Sequence, residues 1–466
     1  MAKNDHAGEI PVNVHTTIGE NEGNENGNGI GKDVLTSFEK KIRLKTDIRL
    51  CSIAGVLCCL NLLDSGILSS ASVTTMQKDL NLQGSHYSVS VFIFTIASVV
   101  FNLPSTMCVR FIGPRIWFAA ITFCFGIITL CTAFIHTWGQ MIALRVLLGI
   151  AMSGVYPGMT YLISVWYTRH EQQLRFAIMQ SGEVVGLATG NIVNYALNHL
   201  DGRAGLAGWR WMYLVQGLIA CVIGVLTYWW MIDFPENAHR SFHFLSEEEA
   251  QVASRRIQKD REDIIPESFS WRKVLLCFAD PKIYGFSCMF FLLNLVSTSL
   301  NYFLPIILQS GMGFSSNAAI ILATPVYTSL PPSLIHVAMP ANTNTQPYYW
   351  AVIPVLFTSL IGDAYRIRGP LITFNALCLI AGFLMLGLPS QVATRYVGTF
   401  LATGAYVSNW AALNAFMANN VVGQWKRMTT AAAVSACNGL GGVAGSYIVR
   451  QQEAPRYLTA VWVSVG

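Results

Sequence analysis

The stretch WGQMIALRVLLGIAMSGVYPGMTYLIS, residues 138–164, decides the fold of this chain, and Arg145 is its only charged residue. The apolar residues follow one another without alternating, and the run is about twice as long as a membrane strand. A continuous apolar run of about 20 residues has the length of an α-helix that crosses the hydrocarbon core of a bilayer. The stretch therefore predicts a membrane-spanning helix that holds a single cation.

Other apolar runs of similar length accompany this one. They lie near 50–72, 87–109, 116–135, 176–197 and 211–232, then near 283–308, 348–363, 370–389, 393–418 and 429–449, and a last one starts near 457. Hydrophobic residues make up 53% of the chain and charged residues 12%, with a mean hydropathy of +0.45. An average soluble domain has about 25% charged residues, so this composition excludes an ordinary soluble enzyme. The net charge of +5 is too small to indicate a nucleic-acid partner.

The order of these segments predicts an all-α polytopic membrane protein built from two six-helix bundles. Residues 1–45 carry a tract rich in Asn, Glu and Gly that has nothing to bury, and we predict a disordered tail. Residues 46–232 form the first bundle, 233–281 a charged connector and 282–466 the second bundle. Two halves joined by a long loop are typical of secondary transporters.

Basic residues are distributed unevenly between the predicted loops. If the N-terminus lies inside, the short inner segments carry thirteen Lys and Arg residues, whereas the outer loops carry six. Because cytoplasmic loops are enriched in Lys and Arg, we predict that the N-terminal tail and the connector are cytoplasmic. The plasma membrane is the expected location.

Five motifs between about residue 43 and the end of the chain resemble those of a known family. On the fourth helix, Arg145 and Gly149 precede Gly154-Val-Tyr-Pro157-Gly158. The others are Pro104-Ser105 with Arg110, Gly113, Pro114 and Arg115, then Gly208-Trp209-Arg210-Trp211, then Asp363 with Arg366, Arg368, Gly369 and Pro370, and finally Asn420, Gly423, Lys426 and Arg427. Together they resemble the anion:cation symporters, a fungal-rich branch of the major facilitator superfamily that includes the allantoate and nicotinate permeases.

The resemblance implies two bundles of the major facilitator type that alternate between inward and outward openings. It implies transport of a small organic anion or vitamin-like carboxylate coupled to protons, with the lipid bilayer as the surroundings. We expect a monomer with no nucleic-acid partner, no cofactor, no metal and no enzymatic activity, because no nucleophile, metal or phosphate motif occurs. Two alternatives stay open, an exporter of an acidic metabolite and a nutrient sensor that does not transport.

The chain departs from the family pattern at two charged positions. The first helix of the family reads Asn-x-Leu-Asp-Arg, and here Asn61, Leu63 and Asp64 are followed by Ser65. The fourth helix of the family carries a Glu where this chain has Met152. This chain therefore lacks the cation that the family would use to contact a carboxylate. It also lacks the acid that the family would use as its proton site.

Three charged residues remain inside the predicted membrane helices: Asp64, Arg145 and Glu183. A charge near the bilayer centre is unfavourable by at least ~2.5–3.5 kcal/mol, so each needs a reason. In one interpretation, Asp64 and Glu183 take up and release protons, and Arg145 pairs with one of them or with an anionic substrate. In the other, they form a fixed ion pair or a carboxyl group that stays protonated. Glu183 is the first choice for the proton site, as a replacement for the family's absent acid.

Polar side chains on the predicted helices are candidates for orienting a substrate, with helix–helix hydrogen bonding as the alternative for each. They are Asn61, Tyr156, Thr160, Asn294, Ser297, Asn301, Asn409 and Asn414. In the resembled fold the loops after the second and eighth helices act as inner gates. The gate candidates are Arg110, Gly113, Pro114, Arg115, Asp363, Arg366 and Arg368. We expect their charged members to pair with helix ends or acids of the other half and to lock the outward-open state, with lipid headgroups as the alternative partner.

Small residues recur every four positions on two predicted helices. They are Gly182, Gly186 and Gly190 on the fifth, and Ser435, Gly439, Gly441 and Gly445 on the eleventh. Such spacing lets helices pack closely. The packing is either static or forms a sliding seam between the halves, which these helices help to form in the resembled fold. Trp209 and Trp211 are expected in an interfacial aromatic belt.

Two segments do not follow the family pattern. Residues 326–346 contain Pro331-Pro332 and a polar Asn/Thr run where the family passes directly into the eighth helix, and we interpret them as an insert such as a retained intron. About ten residues follow Tyr457, which is too few to cross a bilayer. The twelfth helix is therefore expected to be incomplete.

Overall fold

The computed structural model describes residues 39–72, 74–81, 86–260, 271–306, 347–389, 391–448 and 458–466. Helices joined by turns make up these residues, and none of them forms a strand. The chain divides into two units, Met1–Leu44 and Lys45–Gly466, and the helices below belong to the second unit. The predicted insert at 326–346 and residues 1–38 of the predicted disordered tail (1–45) lie outside the described residues. Residues 39–45, predicted as the end of that tail, are helical instead.

The helices follow the apolar runs of the sequence. In the first half they are α1 (Ser52–Ser72), α2 (His86–Ile112), α3 (Pro114–Thr132), α4 (Trp138–Trp166), α5 (Gln172–Asn198) and α6 (Gly208–Trp230). In the second half they are α7 (Pro281–Ile306), α8 (Pro347–Tyr365), α9 (Gly369–Gly387), α10 (Val392–Asn420), α11 (Gln424–Ile448) and α12 (Leu458–Val465). The connector between the halves carries helices Glu247–Asp260 and Trp271–Cys277.

Seven helices within the described part of the chain are long and apolar enough to cross a membrane, and α4 is one of them. Exposed large apolar side chains cover the outer faces of these helices, among them Val100, Leu147, Leu226 and Phe374. Apolar side chains facing outward suit lipid rather than water. The predicted all-α polytopic membrane fold is confirmed.

Two glycines of the sequence motifs occupy positions where any other residue would be strained. Gly113 joins α2 to α3 with φ +97°, a conformation that favours glycine, and Pro114 then begins α3. Gly154 lies where α4 is interrupted between Met152 and Val155, and a Cβ there would collide with Ser105 Oγ of α2. The motif glycines therefore set a turn and a close helix approach.

Each half packs through its own helix pairs, and four helices make the main contacts between the halves. Within the first half α1 packs on α5 and α3 on α6, and within the second half α7 packs on α11 and α9 on α10. Between the halves, α5 packs on α8 and α2 packs on α11.

The stripe on α5 and the pair Gly441 and Gly445 on α11 pack helices within one half, so for these residues the interpretation as a sliding seam is wrong. Gly439 differs, because a Cβ there would lie 3.7 Å from side-chain atoms of Thr95 and Val99 on α2, in the other half. A Cβ at Gly182 would lie 2.5 Å from the Gly55 Cα of α1, and a Cβ at Gly186 would lie 2.6 Å from the Cys59 carbonyl oxygen. On α11, a Cβ at Gly445 would lie 2.6 Å from a carbonyl oxygen of α7. Other faces of α5 and α11 meet the opposite half.

Trp209 does not belong to an interfacial aromatic belt, contrary to the prediction. Its side chain is fully buried, and its Nε1 donates to Asp79 Oδ2 at 2.8 Å. Its ring meets that of Tyr213 edge to face, with 6.2 Å between the centroids. A tryptophan with its N–H satisfied inside the protein is a core residue.

Candidate functional site

Asp64 and Arg145 form a buried ion pair inside the first half. Arg145 Nη1 lies 3.8 Å from Asp64 Oδ2, and the side chains are only 5% and 3% exposed. Thr129 Oγ1 donates to Asp64 Oδ1 at 3.2 Å, and Arg145 Nη2 donates to the Tyr213 hydroxyl at 2.9 Å. The pair thus joins α1, α3, α4 and α6. Thr129 and Tyr213 were missed from the sequence because no spacing relates their helices to Asp64.

Glu183 stands apart from this pair on α5. The side chain of Gln180, one turn earlier on the same helix, is buried. The Glu183 carboxylate oxygen Oε2 is inaccessible to solvent and accepts no hydrogen bond from the residues described. None of the ion pairs among these residues includes Glu183. The three predicted membrane charges therefore separate into one pair and one single carboxyl group.

The Tyr156 hydroxyl joins the two halves near Glu183. Trp410 Nε1 donates to this hydroxyl, and Asn414 Nδ2 donates to it at 2.9 Å. The Tyr156 and Trp410 rings meet edge to face, with 6.4 Å between the centroids. Tyr156 lies on α4, within electrostatic reach of Glu183, whereas Trp410 and Asn414 lie on α10. Trp410 was missed, although its position one helical turn before Asn414 was a usable signal.

Two predicted substrate residues lie on α7. Asn294 Nδ2 donates to the Asn438 carbonyl oxygen of α11 at 2.7 Å. This contact corresponds to helix–helix hydrogen bonding within the second half. Ser297 is buried on the same helix.

The remaining polar candidates take different positions. Asn409 is buried on α10, and its Oδ1 accepts no hydrogen bond within the described ranges. Thr160 is buried and, together with Arg427, lines a small cavity with room for about one water. Asn61 is half-buried on α1, and the side chain of Asn301 lies outside what the structure describes.

Loop residues join the halves at the connector face, which is the end of the helices where residues 233–260 contact the first half. Asp363, near the end of α8, accepts from the backbone N–H groups of Gln173 at 3.3 Å and Leu174 at 3.0 Å. Arg368 donates to the Arg169 carbonyl oxygen and lies 3.5 Å from Asp363 Oδ1. Asp363 thus pairs with the first turn of α5, where backbone N–H groups have no partner inside the helix.

The arginines after α2 bind mainly the connector. Arg110 Nη2 lies 3.3 Å from Glu236 Oε2, and its guanidinium lies 4.7 Å from the centre of the Phe234 ring. Arg115 donates to the carbonyl oxygens of Tyr228 at 2.8 Å and Arg240 at 2.9 Å. The expectation that Arg115 reaches the other half is wrong, since its partners lie at the end of α6 and in the connector.

Arg366 also departs from the predicted gate. It is exposed, has φ +59°, and forms no ion pair or side-chain hydrogen bond with the residues described. A neighbour two positions on, Arg368, makes the contact with the first half instead.

Two carboxyl groups at this face, outside the spanning helices, have shifted pKa values. Burial raises the pKa of Asp233, and the nearby Arg115 opposes that shift. A hydrogen bond from Lys426 holds the pKa of Asp280 below its ordinary value. Asp280 therefore stays ionised to lower pH than a free aspartate.

Residues 54–446 match the family model described as Major Facilitator Superfamily. A Schizosaccharomyces pombe protein named Uncharacterized transporter C11D3.18C is 28% identical over 92% of this chain and 80% of its own length. The High-affinity nicotinic acid transporter of Saccharomyces cerevisiae is 28% identical over 92% of this chain and 75% of its own length.

Solved structures agree with this match. The proton:xylose symporter XylE bound to 6-bromo-6-deoxy-D-glucose has a TM-score of 0.62 at 15% identity, covering 92% of this chain and 93% of that one. The human organic anion transporter MFSD10 has a TM-score of 0.58 at 12% identity, covering 90% and 97%. At these identities, the likeness establishes the fold alone.

Proposed function

The chain belongs to the Major Facilitator Superfamily as a multi-pass membrane transporter, and from that premise we propose that it moves a small organic anion or vitamin-like carboxylate together with protons. Transport proceeds by alternating access, in which the two halves open the central region to one side and then to the other. The observation that carries the proposal is the single carboxyl group of Glu183 near the contact between α4 and α10.

A lone carboxyl group couples an anion to a proton by simple electrostatics. Two like unit charges 4 Å apart repel by about 4 kcal/mol at an effective dielectric constant of about 20. An anion beside Glu183 therefore binds best when Glu183 is protonated, and the acid form also offers an O–H donor to a carboxylate. Proton and anion then enter and leave together. The charge of Asp64 is already balanced by Arg145, which leaves Glu183 as the coupling residue.

The named relative supports the substrate class. The nicotinic acid transporter of Saccharomyces cerevisiae makes nicotinate the first labelled compound to try. The edges of Tyr156, Trp410 and Phe290 give the central region an aromatic character that suits a planar acid.

Uptake in cells with and without the protein tests the proposal. Labelled nicotinate and a panel of other carboxylates are offered at pH 5 and pH 7.5, with and without a protonophore. We expect greater accumulation at pH 5, which the protonophore abolishes. Glu183→Gln should abolish accumulation but retain counterflow exchange, because exchange needs no net proton movement. Glu248→Gln, on the exposed connector helix, is the matched control and should behave as the wild type.

Each contrary outcome identifies a different alternative. Unchanged pH-driven accumulation in the Glu183→Gln variant removes Glu183 from the coupling mechanism. Less accumulation than in cells without the protein indicates an exporter. No difference for any carboxylate, with the protein shown at the membrane, favours a sensor.

A further inference from the structure

The connector helix Trp271–Cys277, called the short connector helix below, has one buried face and one exposed apolar face. Val274 is 1% exposed on the buried face, and the helix packs on α11. Trp271, Leu275 and Leu276 are 61%, 67% and 60% exposed. Three large apolar side chains on one short exposed face mark an interaction site, because contact with water is unfavourable for them.

Basic side chains accompany this apolar face. Arg272 and Lys273 are exposed on the helix itself, and Lys282 is exposed at the start of α7. The acid that lies between them in the sequence, Asp280, is paired with Lys426 of α11. The exposed charge of this segment is therefore positive, and its natural counterpart is an anionic surface that also offers apolar contact. Anionic phospholipid headgroups combine the two.

The position of the helix along the chain keeps it at the edge of the bilayer. Residues 278–280 separate it from α7, whose first part, Pro281–Leu300, is long and apolar enough to cross a membrane. An extended chain advances at most about 3.6 Å per residue, so the helix ends within roughly 14 Å of that segment. Tyr284 and Leu292 then expose the next apolar side chains on α7. Tryptophan with flanking Arg and Lys is typical of a membrane–water interface.

We propose that the short connector helix binds the bilayer surface and selects anionic phospholipids. Trp271, Leu275 and Leu276 insert between the lipids at the connector face, and Arg272 and Lys273 bind the headgroup phosphates. The opposite face of the helix stays on α11, so the lipid surface and the second half hold the helix from two sides. This inference holds whichever ligand the chain transports, since it concerns a surface of the connector rather than the region between the halves.

Photocrosslinking of the full chain in bilayer nanodiscs of phosphatidylcholine and phosphatidylserine tests the proposal. The photoreactive residue p-benzoylphenylalanine replaces Leu275, and mass spectrometry identifies what it captures. We expect phospholipid adducts in which phosphatidylserine exceeds its share of the bilayer at least about threefold. Two matched positions are controls. Glu248, exposed on the helix Glu247–Asp260, should capture no lipid, and Val100, exposed on α2, should capture both lipids in proportion to their shares.

Charge variants separate headgroup binding from apolar insertion. Arg272→Gln with Lys273→Gln should reduce phosphatidylserine among the adducts at position 275 to its share of the bilayer, because the attraction of the basic side chains is lost. Lipid capture itself should persist, since the apolar face is unchanged. Arg255→Gln with Lys259→Gln removes two exposed basic residues from the helix Glu247–Asp260 and should leave the phosphatidylserine preference as it was.

Capture of protein alone at position 275, from this chain or a second copy, overturns the inference, because the apolar face then has a protein partner. The absence of any adduct there overturns it as well. Phosphatidylserine captured only in proportion to its share rejects the selection of anionic lipid, and a preference that survives Arg272→Gln with Lys273→Gln rejects the role of those residues. The comparison of positions 275, 248 and 100 keeps the native charges, so it decides the proposal even if the charge variants do not fold.

Discussion

Arg145 and Asp64 lie among buried residues of the first half, where an unpaired charge is strongly unfavourable. Removing one member of a buried ion pair typically lowers the free energy of unfolding by about 3–5 kcal/mol, because the other charge stays behind. We expect Arg145→Gln to be destabilised by about this amount, and Asp64→Asn with Arg145→Gln to recover most of the loss. Equilibrium unfolding of the purified protein in mixed micelles measures both.

The ion pair of Asp64 with Arg145 also predicts that Asp64 and Glu183 have different roles in transport. If Asp64 serves only as the partner of Arg145, Asp64→Asn should retain acid-driven accumulation while Glu183→Gln does not. A double variant no more stable than Arg145→Gln would contradict the ion pair. Loss of acid-driven accumulation in a folded Asp64→Asn variant would return Asp64 to the coupling mechanism.

At the scale of the element, α5 has two faces with different tasks. One face presents Gly182 and Gly186 to α1, so closely that the backbones touch. Another carries Glu183, and α10 of the other half also packs on this helix. The close approach to α1 fixes the position of α5 and hence that of the carboxyl group.

A methyl group at Gly182 should force α1 and α5 apart. A Cβ at Gly182 would lie 2.5 Å from backbone atoms of Gly55, and overpacking of this kind lowers the free energy of unfolding by about 1–3 kcal/mol. Gly66→Ala on α1, where a Cβ meets nothing within 4 Å, is the control. Thermal unfolding in one detergent compares them, and equal melting temperatures would refute the tight α1–α5 contact.

At the scale of the whole molecule, the connector face carries the contacts that resist separation of the halves. Asp363 and Arg368 hold the loop between α8 and α9 on Gln173, Leu174 and Arg169 at the start of α5. Arg366, two residues from Arg368, stays exposed. Substituting each arginine in turn therefore separates the effect of breaking the contact from the effect of removing a positive charge.

Arg368→Gln should shift the population toward a state that is open at the connector face. A hydrogen bond from a charged group contributes about 1.5–3 kcal/mol, and 1.4 kcal/mol changes a population ratio about tenfold. The readout is labelling of Thr160→Cys, in the cavity beside Arg427, by a water-soluble maleimide in open membrane fragments. We expect labelling about tenfold faster with Arg368→Gln and unchanged with Arg366→Gln. Equal rates in both variants would show that Arg368 does not hold the halves together.

The sequence by itself determined that the chain lies in a membrane, where its helices run and which charged residues they carry. A membrane-spanning helix is recognised from the hydropathy of about 20 consecutive residues, so α4 was predictable from residues 138–164 alone. Gly113-Pro114 likewise marked a turn from local backbone geometry.

Only the tertiary structure decided which of these residues act together. Asp64 and Arg145 are far apart in the chain, and their contact depends on how α1 and α4 are rotated and packed against each other. The same holds for Tyr156 and its partners Trp410 and Asn414, which meet because one helix of each half approaches the boundary. Glu183 has no ion-pair partner among the described residues for that reason too, because packing places Arg145 beside Asp64. Local pattern sets what each helix is, whereas packing between distant helices sets which side chains share a site.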